Sequence, residues 1–217
     1  MELDTRHQCM IYEGSPSQKL HALAAIIQGK LDEGFRCLYL NSRPMVAGMR
    51  SCLAALGIDV VHEIAKTRLV LSSETVTTAD GGFECELMLH KLENALDQAL
   101  TDGYKGLWAS GDMTWEFGPK KNFEKLMEYE QGLENLFRKR SELCGICQYH
   151  RDTLPHEVTR QGLLTHPALF INETLSWVNP HYLPTALPPN HLAPNPEMDA
   201  TIAALCQFSN VQNRSGE

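Results

Sequence analysis

Along roughly the first 172 positions, short apolar runs alternate with longer stretches in which apolar residues recur every three or four places, the pattern of strands followed by helices. Residues 8–12 (Gln-Cys-Met-Ile-Tyr) give the first strand, turned by Glu13-Gly14. Ser15-Pro16-Ser17-Gln18 then reads as a helix start, with Ser as N-cap, Pro at the first helical position and Gln three residues after the cap. Leu20, Leu23, Ala24, Ile27 and Leu31 fall on one face of that helix, which stops at Gly34.

Residues 36–41 form a second strand, and Pro44 opens a helix with Met45, Met49, Leu53 and Leu56 facing inward. The stretch 60–66 has no decisive period, and 69–72 is a third strand. The polar run 73–82 reads as a loop over the carboxyl edge of the sheet. A helix from Phe83 or Glu84 to Asp102 carries Met88, Leu92, Ala95, Leu96 and Ala99 on one face; 119–140 is the longest helix candidate, weakened slightly by Gly132. A strand over 143–149, a short helix from Pro155 to Gly162 and a strand over 168–172 complete the series.

Between Gly103 and Gly111 lies the apolar run that reads as the central, fully buried parallel strand. Asp112 sits at its carboxyl end, with Trp115 just beyond. Ligands of open α/β sheets bind at that edge, where loops are free of strand pairing and helix N-termini open. A turn cap for Asp112 and a core position for Trp115 are equally good readings of those two residues.

The alternation predicts an α/β fold with a mostly parallel sheet and helices on both faces, over residues 1–175. Residues 176–217 differ in character: six of the eleven prolines lie between Pro180 and Pro196. This Pro-rich tail ends in Asn195-Pro196-Glu197, which starts a short amphipathic helix bearing Met198, Ile202 and Leu205. That helix must dock on its own domain or on a second subunit, which makes a homodimer one expectation.

Composition narrows the function classes. The formal charge of −8 argues against direct nucleic-acid binding, and Arg138-Lys139-Arg140 is explained by a helix C-terminus. There is no signal-peptide pattern and no membrane-spanning run, so a cytoplasmic location is expected. The odd count of seven cysteines points to reduced thiols used as small hydrophobes.

The turn Gly14-Ser15-Pro16-Ser17-Gln18-Lys19-Leu20 occupies the place of a phosphate loop but is degenerate. It lacks the second glycine, Lys19 comes one position early, no hydroxyl follows it, and Pro16 removes an amide donor. Cys144 and Cys147 lie three apart in a strand, on opposite faces, so they do not chelate one metal or pair with each other. Cys147 and Tyr149 share a face, as do His7 and Cys9, and those pairs could line a pocket between neighbouring strands. No Gly-x-Ser-x-Gly elbow and no carboxylate pair for acid–base work is identifiable.

Taken in order, His7-x-Cys9-x-Ile11-Tyr12-Glu13, Arg36-Cys37-Leu38-Tyr39-Leu40, Gly111-Asp112-Met113-x-Trp115, Tyr129-Glu130, Cys147-Gln148-Tyr149 and Leu164-x-His166-Pro167 resemble the MEDS domain, the methanogen/methylotroph DcmR sensory domain. The resemblance spans residues 7–172. It implies a three-layer RecA-like (KaiC-like) fold without a working phosphate loop. It also implies a role in signal transduction and transcription regulation, with small organic molecules such as hydrocarbon derivatives as ligands. Family members often carry a DNA-binding or kinase module. None is evident in this sequence, so the expected output is through a regulatory protein partner.

The expected ligand-binding residues are Tyr12, Glu13, Lys19, Asp112, Trp115, Cys147, Tyr149 and Arg151, with Tyr12, Asp112, Trp115 and Tyr149 forming one partly apolar pocket at the carboxyl edge. His7, Cys9 and His166 are expected at the opposite edge, as a structural pair or a second site. No firm cofactor and no metal set follows from the residues alone. Two other classes compete with the stand-alone, non-enzymatic sensor. One is a cryptic nucleotide-binding protein or enzyme using Asp112 and the degenerate loop; the other is a metal or thiol redox sensor using His7, Cys9, Cys147 and His166.

Overall fold

The structure, a computed structural model, describes residues 5–74, 83–116, 123–184 and 195–211. Seven strands form one sheet in the order β3-β2-β4-β5-β1-β6-β7. They are β1 (His7–Tyr12), β2 (Arg36–Leu40), β3 (Leu69–Ser72), β4 (Leu107–Asp112), β5 (Leu143–His150), β6 (Ala168–Asn172) and β7 (Leu175–Val178). Every neighbouring pair is parallel except β6 with β7. β4 and β5 lie in the middle of this order, as the buried apolar run around Trp108 predicts.

The helices divide between the two faces. Buried side chains of α1 (Leu20–Asp32), α2 (Arg43–Ala55) and α3 (Val60–Ala65) pack on Met10, Tyr12, Cys37, Tyr39, Trp108 and Ile146. Those of α4 (Cys85–Thr101), α6 (Leu126–Lys139), α7 (His156–Thr165) and α8 (Pro196–Val211) cover the other face around Cys9, Ile11, Cys147, Tyr149 and Leu169. A four-residue turn of helix, α5 (Met113–Glu116), follows β4. Because alternate strand residues point to opposite faces, the sheet builds a mixed α/β fold of three layers from one period-two pattern.

Several local expectations change. The segment after Gly14 begins with a 3-10 turn, Pro16–Lys19, and Ser15 makes no side-chain cap; its hydroxyl pairs with that of Ser17 instead. The ambiguous 60–66 stretch contains α3, capped by Asp59 accepting from the His62 amide. Leu56, expected inward, is exposed beyond the end of α2. The α6 helix starts at Leu126 after a 3-10 turn at Phe123–Lys125 and is shorter than α4; residues 117–122 lie outside the described residues. Gly132 sits where an added Cβ would come within 2.3 Å of Leu89 Cδ1, so it is the close approach of α4 and α6 that calls for glycine there.

Gly162 does not stop its helix, which continues to Thr165. An added Cβ there would lie 2.5 Å from Tyr149 Cζ, so its lack of a side chain makes room for the Tyr149 ring. The unexpected strand is β7, which returns antiparallel on β6 and leaves Trp177 and Val178 largely exposed at the sheet edge.

The C-terminal helix docks on its own domain. Met198, Ile202, Leu205 and Cys206 are buried in the same core as Ile11 and Leu169. The Asn195 side chain caps it by accepting from the amides of Glu197 and Met198. Residues 185–194 of the Pro-rich segment, and 75–82 of the polar loop, lie outside the described residues.

Candidate functional site

At the carboxyl edge the sequence-predicted residues divide between the two faces of the sheet. Tyr12 and Asp112 meet on the α1 side, where the Tyr12 hydroxyl donates to Asp112 Oδ2 at 3.5 Å. Asp112 also accepts the Thr114 amide on Oδ1 at 2.8 Å, so it caps the start of α5. Tyr149 lies beneath the opposite face, together with Cys147. The single pocket expected from Tyr12, Asp112, Trp115 and Tyr149 therefore does not form, because position 149 in β5 points away from the face that position 12 in β1 occupies. Trp115 lies in α5, and its side chain falls outside the described residues.

The degenerate phosphate loop is already occupied by the chain's own acidic groups. Gly14, at φ +81°, donates its amide to Asp152 Oδ2 at 2.7 Å. His150, stacked on Tyr12 with centroids 5.0 Å apart, donates from Nε2 to the Gly14 carbonyl. Arg151 reaches Glu13 Oε2 at 3.5 Å. Lys19 is buried at 6% exposure next to α8, where burial lowers its pKa. An incoming phosphate would have to displace the Asp152 carboxylate from the Gly14 amide.

The denser constellation lies under the start of β1 and the middle of β5, on the face covered by α6 and α7. His7 opens β1, Cys147 follows Gly145 in β5, His166 leads into β6, and Glu130 projects from the second turn of α6. One donor atom from each of His7, Glu130, Cys147 and His166 lies within 4.8 Å of all the others, and all four residues are buried. His7 Nε2 is 3.5 Å from Cys147 Sγ and 3.8 Å from Glu130 Oε2; His166 Nε2 is 3.4 Å from the same Glu130 oxygen. The His7 ring is held between Phe137, stacked at 4.2 Å, and the tilted ring of His166 at 4.0 Å.

A surrounding set of groups fixes the orientation of this cluster. His7 Nδ1 donates to Glu134 Oε2 at 2.9 Å, and the other Glu134 oxygen accepts from the Tyr182 hydroxyl. His166 Nδ1 lies 2.6 Å from the Gly162 carbonyl, which can only accept, so that nitrogen carries the proton. Tyr149 donates its hydroxyl to Glu130 Oε1. The segment 179–183 closes over the cluster. Asn179 Nδ2 donates to the carbonyls of Leu163 and His166, and the Leu183 amide donates to the Leu164 carbonyl.

Burial sets the charge states. It pushes the Glu130 carboxyl up to about 8, helped by the Glu134 charge and opposed by the Tyr149 hydrogen bond. It also drives His166 well below the usual imidazole range, with the nearby His7 ring adding to the effect. Glu130 Oε2 and His166 Nε2 are both fully buried and face each other at 3.4 Å, where a neutral Glu130 donates its proton toward the imidazole nitrogen.

Beside this cluster, toward the carboxyl end of β4, lies a small apolar cavity of about 30 Å³. Met88, Leu92, Tyr129, Leu133, Phe137 and Cys147 contribute to its walls, so Cys147 and Phe137 belong to both features. That is space for on the order of two water-sized spheres.

Cys9, the other thiol of the expected redox set, pairs with Cys147 across β1 and β5 but is not one of the four converging donors. Glu130 and Glu134 were not singled out as site residues from sequence, nor was Tyr182. A signal existed for the first two: they fall one turn apart on the same stripe of α6 as Leu126, Leu133 and Phe137, and carboxylates on a buried stripe call for partners.

Among the described residues, no helix is long and apolar enough to cross a membrane. The family model for MEDS, the MEthanogen/methylotroph, DcmR Sensory domain, matches residues 6–167. No curated protein matches the chain.

Proposed function

This chain belongs to the MEDS family of sensory domains, and from that premise we propose that it senses a small, largely apolar organic molecule and signals through a protein partner. The observation that carries this reading is the cavity between α4, α6 and β4. Its walls are mainly aliphatic and aromatic, its volume suits a molecule of a few heavy atoms, and it opens at the half of the sheet where open α/β folds bind ligands. A nucleotide is far too large for it.

The ligand would act by favouring one arrangement of the helices that line the cavity over another, since equal affinity for both arrangements shifts nothing. Helices α4 and α6 are the elements whose packing an occupant changes, and Tyr182 ties α6 to the tail through Glu134. A cytoplasmic location suits the buried, unbridged thiols.

The test is a titration with one- to three-carbon haloalkanes and alcohols, followed by amide chemical shifts, on the full chain and on Ala109→Val. Ala109 lines the cavity, so the added methyls fill it. Saturable shifts centred on α4, α6 and β4, lost in the variant, support the reading. Absence of saturable binding, or binding that the variant leaves unchanged, overturns it.

A further inference from the structure

We propose that His7, Glu130, Cys147 and His166 together bind one divalent transition-metal ion of the zinc type, with His7 Nε2, His166 Nε2, Cys147 Sγ and a Glu130 carboxylate oxygen as the four ligands. This goes beyond the small-molecule reading and does not depend on it, since the two sites share Cys147 but not the chemistry of binding.

The donor spacing is the first support. A tetrahedral ion with bonds of roughly 2.0–2.3 Å keeps its ligand atoms roughly 3.3–3.7 Å apart. The separations of 3.5 Å for His7–Cys147, 3.4 Å for His166–Glu130 and 3.8 Å for His7–Glu130 are close to those edges. Donors from β1, α6, β5 and the residue leading into β6 thus converge within 4.8 Å of one another.

The surroundings are the second support. A metal-binding histidine presents one nitrogen to the ion and donates a proton from the other to a carboxylate or carbonyl. His7 does so through Glu134, and His166 through Gly162, which leaves both Nε2 atoms facing the centre. Glu130 is held by Tyr149 on the oxygen away from His166. Glu130 Oε2 and His166 Nε2, buried atoms that face each other at 3.4 Å, are both ligand atoms in this arrangement. Each would be satisfied by the same ion.

Charge balance is the third. When the site fills, Cys147 gives up its proton and Glu130 binds as the carboxylate, so two negative ligands and two neutral imidazoles surround a dication. The ion and its four ligands sum to zero, and the one further negative charge, on the Glu134 carboxylate behind His7, is held by the His7 and Tyr182 hydrogen bonds. The ligand set of two nitrogens, one sulfur and one oxygen suits a borderline ion such as Zn²⁺ and is too soft for Mg²⁺ or Ca²⁺.

The experiment has two arms on the full chain. Elemental analysis of the protein as purified is expected to find close to one equivalent of zinc or a similar ion. Protein unfolded with chelator, freed of metal and refolded with Co²⁺ is expected to show the intense visible bands of tetrahedral cobalt and a thiolate-to-cobalt charge-transfer band. Cys147→Ser should remove the charge-transfer band, while Cys9→Ala, a neighbouring thiol outside the set, should retain it. Glu134→Gln should weaken metal affinity about 10- to 100-fold with stoichiometry unchanged, since it hydrogen-bonds the ligand His7 and the Tyr182 hydroxyl but is not itself a ligand. Metal-free protein that also takes up no cobalt on refolding overturns the proposal, as does a charge-transfer band that survives Cys147→Ser. Haloalkane binding by metal-free protein would leave the small-molecule reading standing while this one fell.

Discussion

His7 and His166 face each other with ring centroids 4.0 Å apart, and each turns its Nδ1 outward to a separate acceptor, Glu134 and Gly162. The ring contact by itself does little to hold the two imidazoles together. Their mutual placement is set instead by the partners behind them, which aim both Nε2 atoms at Glu130 and Cys147. The arrangement ties the first strand, the link before β6, α6 and the start of the tail into one buried unit.

Gly162→Ala is expected to destabilise the protein by about 1–3 kcal/mol, because its methyl meets the Tyr149 ring at 2.5 Å and that ring is fixed by Glu130. Gly29→Ala, in an exposed turn of α1 with nothing within 4 Å, is expected to stabilise by about 0.5–1 kcal/mol. Urea unfolding of the two variants should move the midpoint in opposite directions.

The docking of α8 is expected to matter for the whole fold. Ile202→Ala should cost about 2–5 kcal/mol, as for other large-to-small changes in a packed core, because Ile202 is 4% exposed among Ile11 and Leu169. Thermal unfolding gives the loss. A change confined to hydrogen exchange of α8, with the global midpoint unmoved, would show that the helix is a separable appendage.

Arg160 clamps Asp199 through two hydrogen bonds at 2.8 and 2.7 Å, fastening α7 to the first turn of α8. The guanidinium holds the Asp199 carboxyl below its ordinary value. A carboxyl depressed in the folded state contributes stability above about pH 4 and loses it as the pH falls through the folded value. Since Asp199 is part exposed, the contribution is at most about 1 kcal/mol. Protection factors of the α8 amides, corrected for the intrinsic pH dependence of exchange, should fall below about pH 4 in the native chain, and Arg160→Gln should flatten that dependence.

Thiol reactivity should follow burial. Cys52 and Cys144 are half-buried, whereas Cys9, Cys37, Cys85, Cys147 and Cys206 are buried. Burial raises the thiols of Cys85 and Cys144 to about 11 and drives Cys9 and Cys37 higher still. Alkylation of the native protein near neutral pH should therefore be slow throughout, reaching Cys52 and Cys144 first, while the buried five wait on unfolding. Peptide mapping after timed quenching resolves the order.

The six parallel strands were legible because each is a short apolar run bounded by turn residues, and the longer helices between them because their apolar residues keep a helical period, which the six-residue α3 is too short to show. β7 was not, since Leu-Ser-Trp-Val lies at an edge, and its exposed residues carry no core pattern. The role of Gly162 was also hidden, because only the Tyr149 ring, thirteen positions earlier, explains it.

The sequence by itself determined the alternation of strand and helix, the broken phosphate loop, the opposite-facing Cys144 and Cys147, and the family. All of these rest on local spacing, on what one residue's neighbours in the chain allow. Strand order was beyond its reach, and with it the meeting of β1 and β5 that sets Cys9 opposite Cys147 and brings His7 to His166 and Glu130. Only the tertiary structure decided that Tyr149 turns from Tyr12 to Glu130, and that Glu134 and Tyr182 complete the shell, because such contacts depend on which face each element buries and against what.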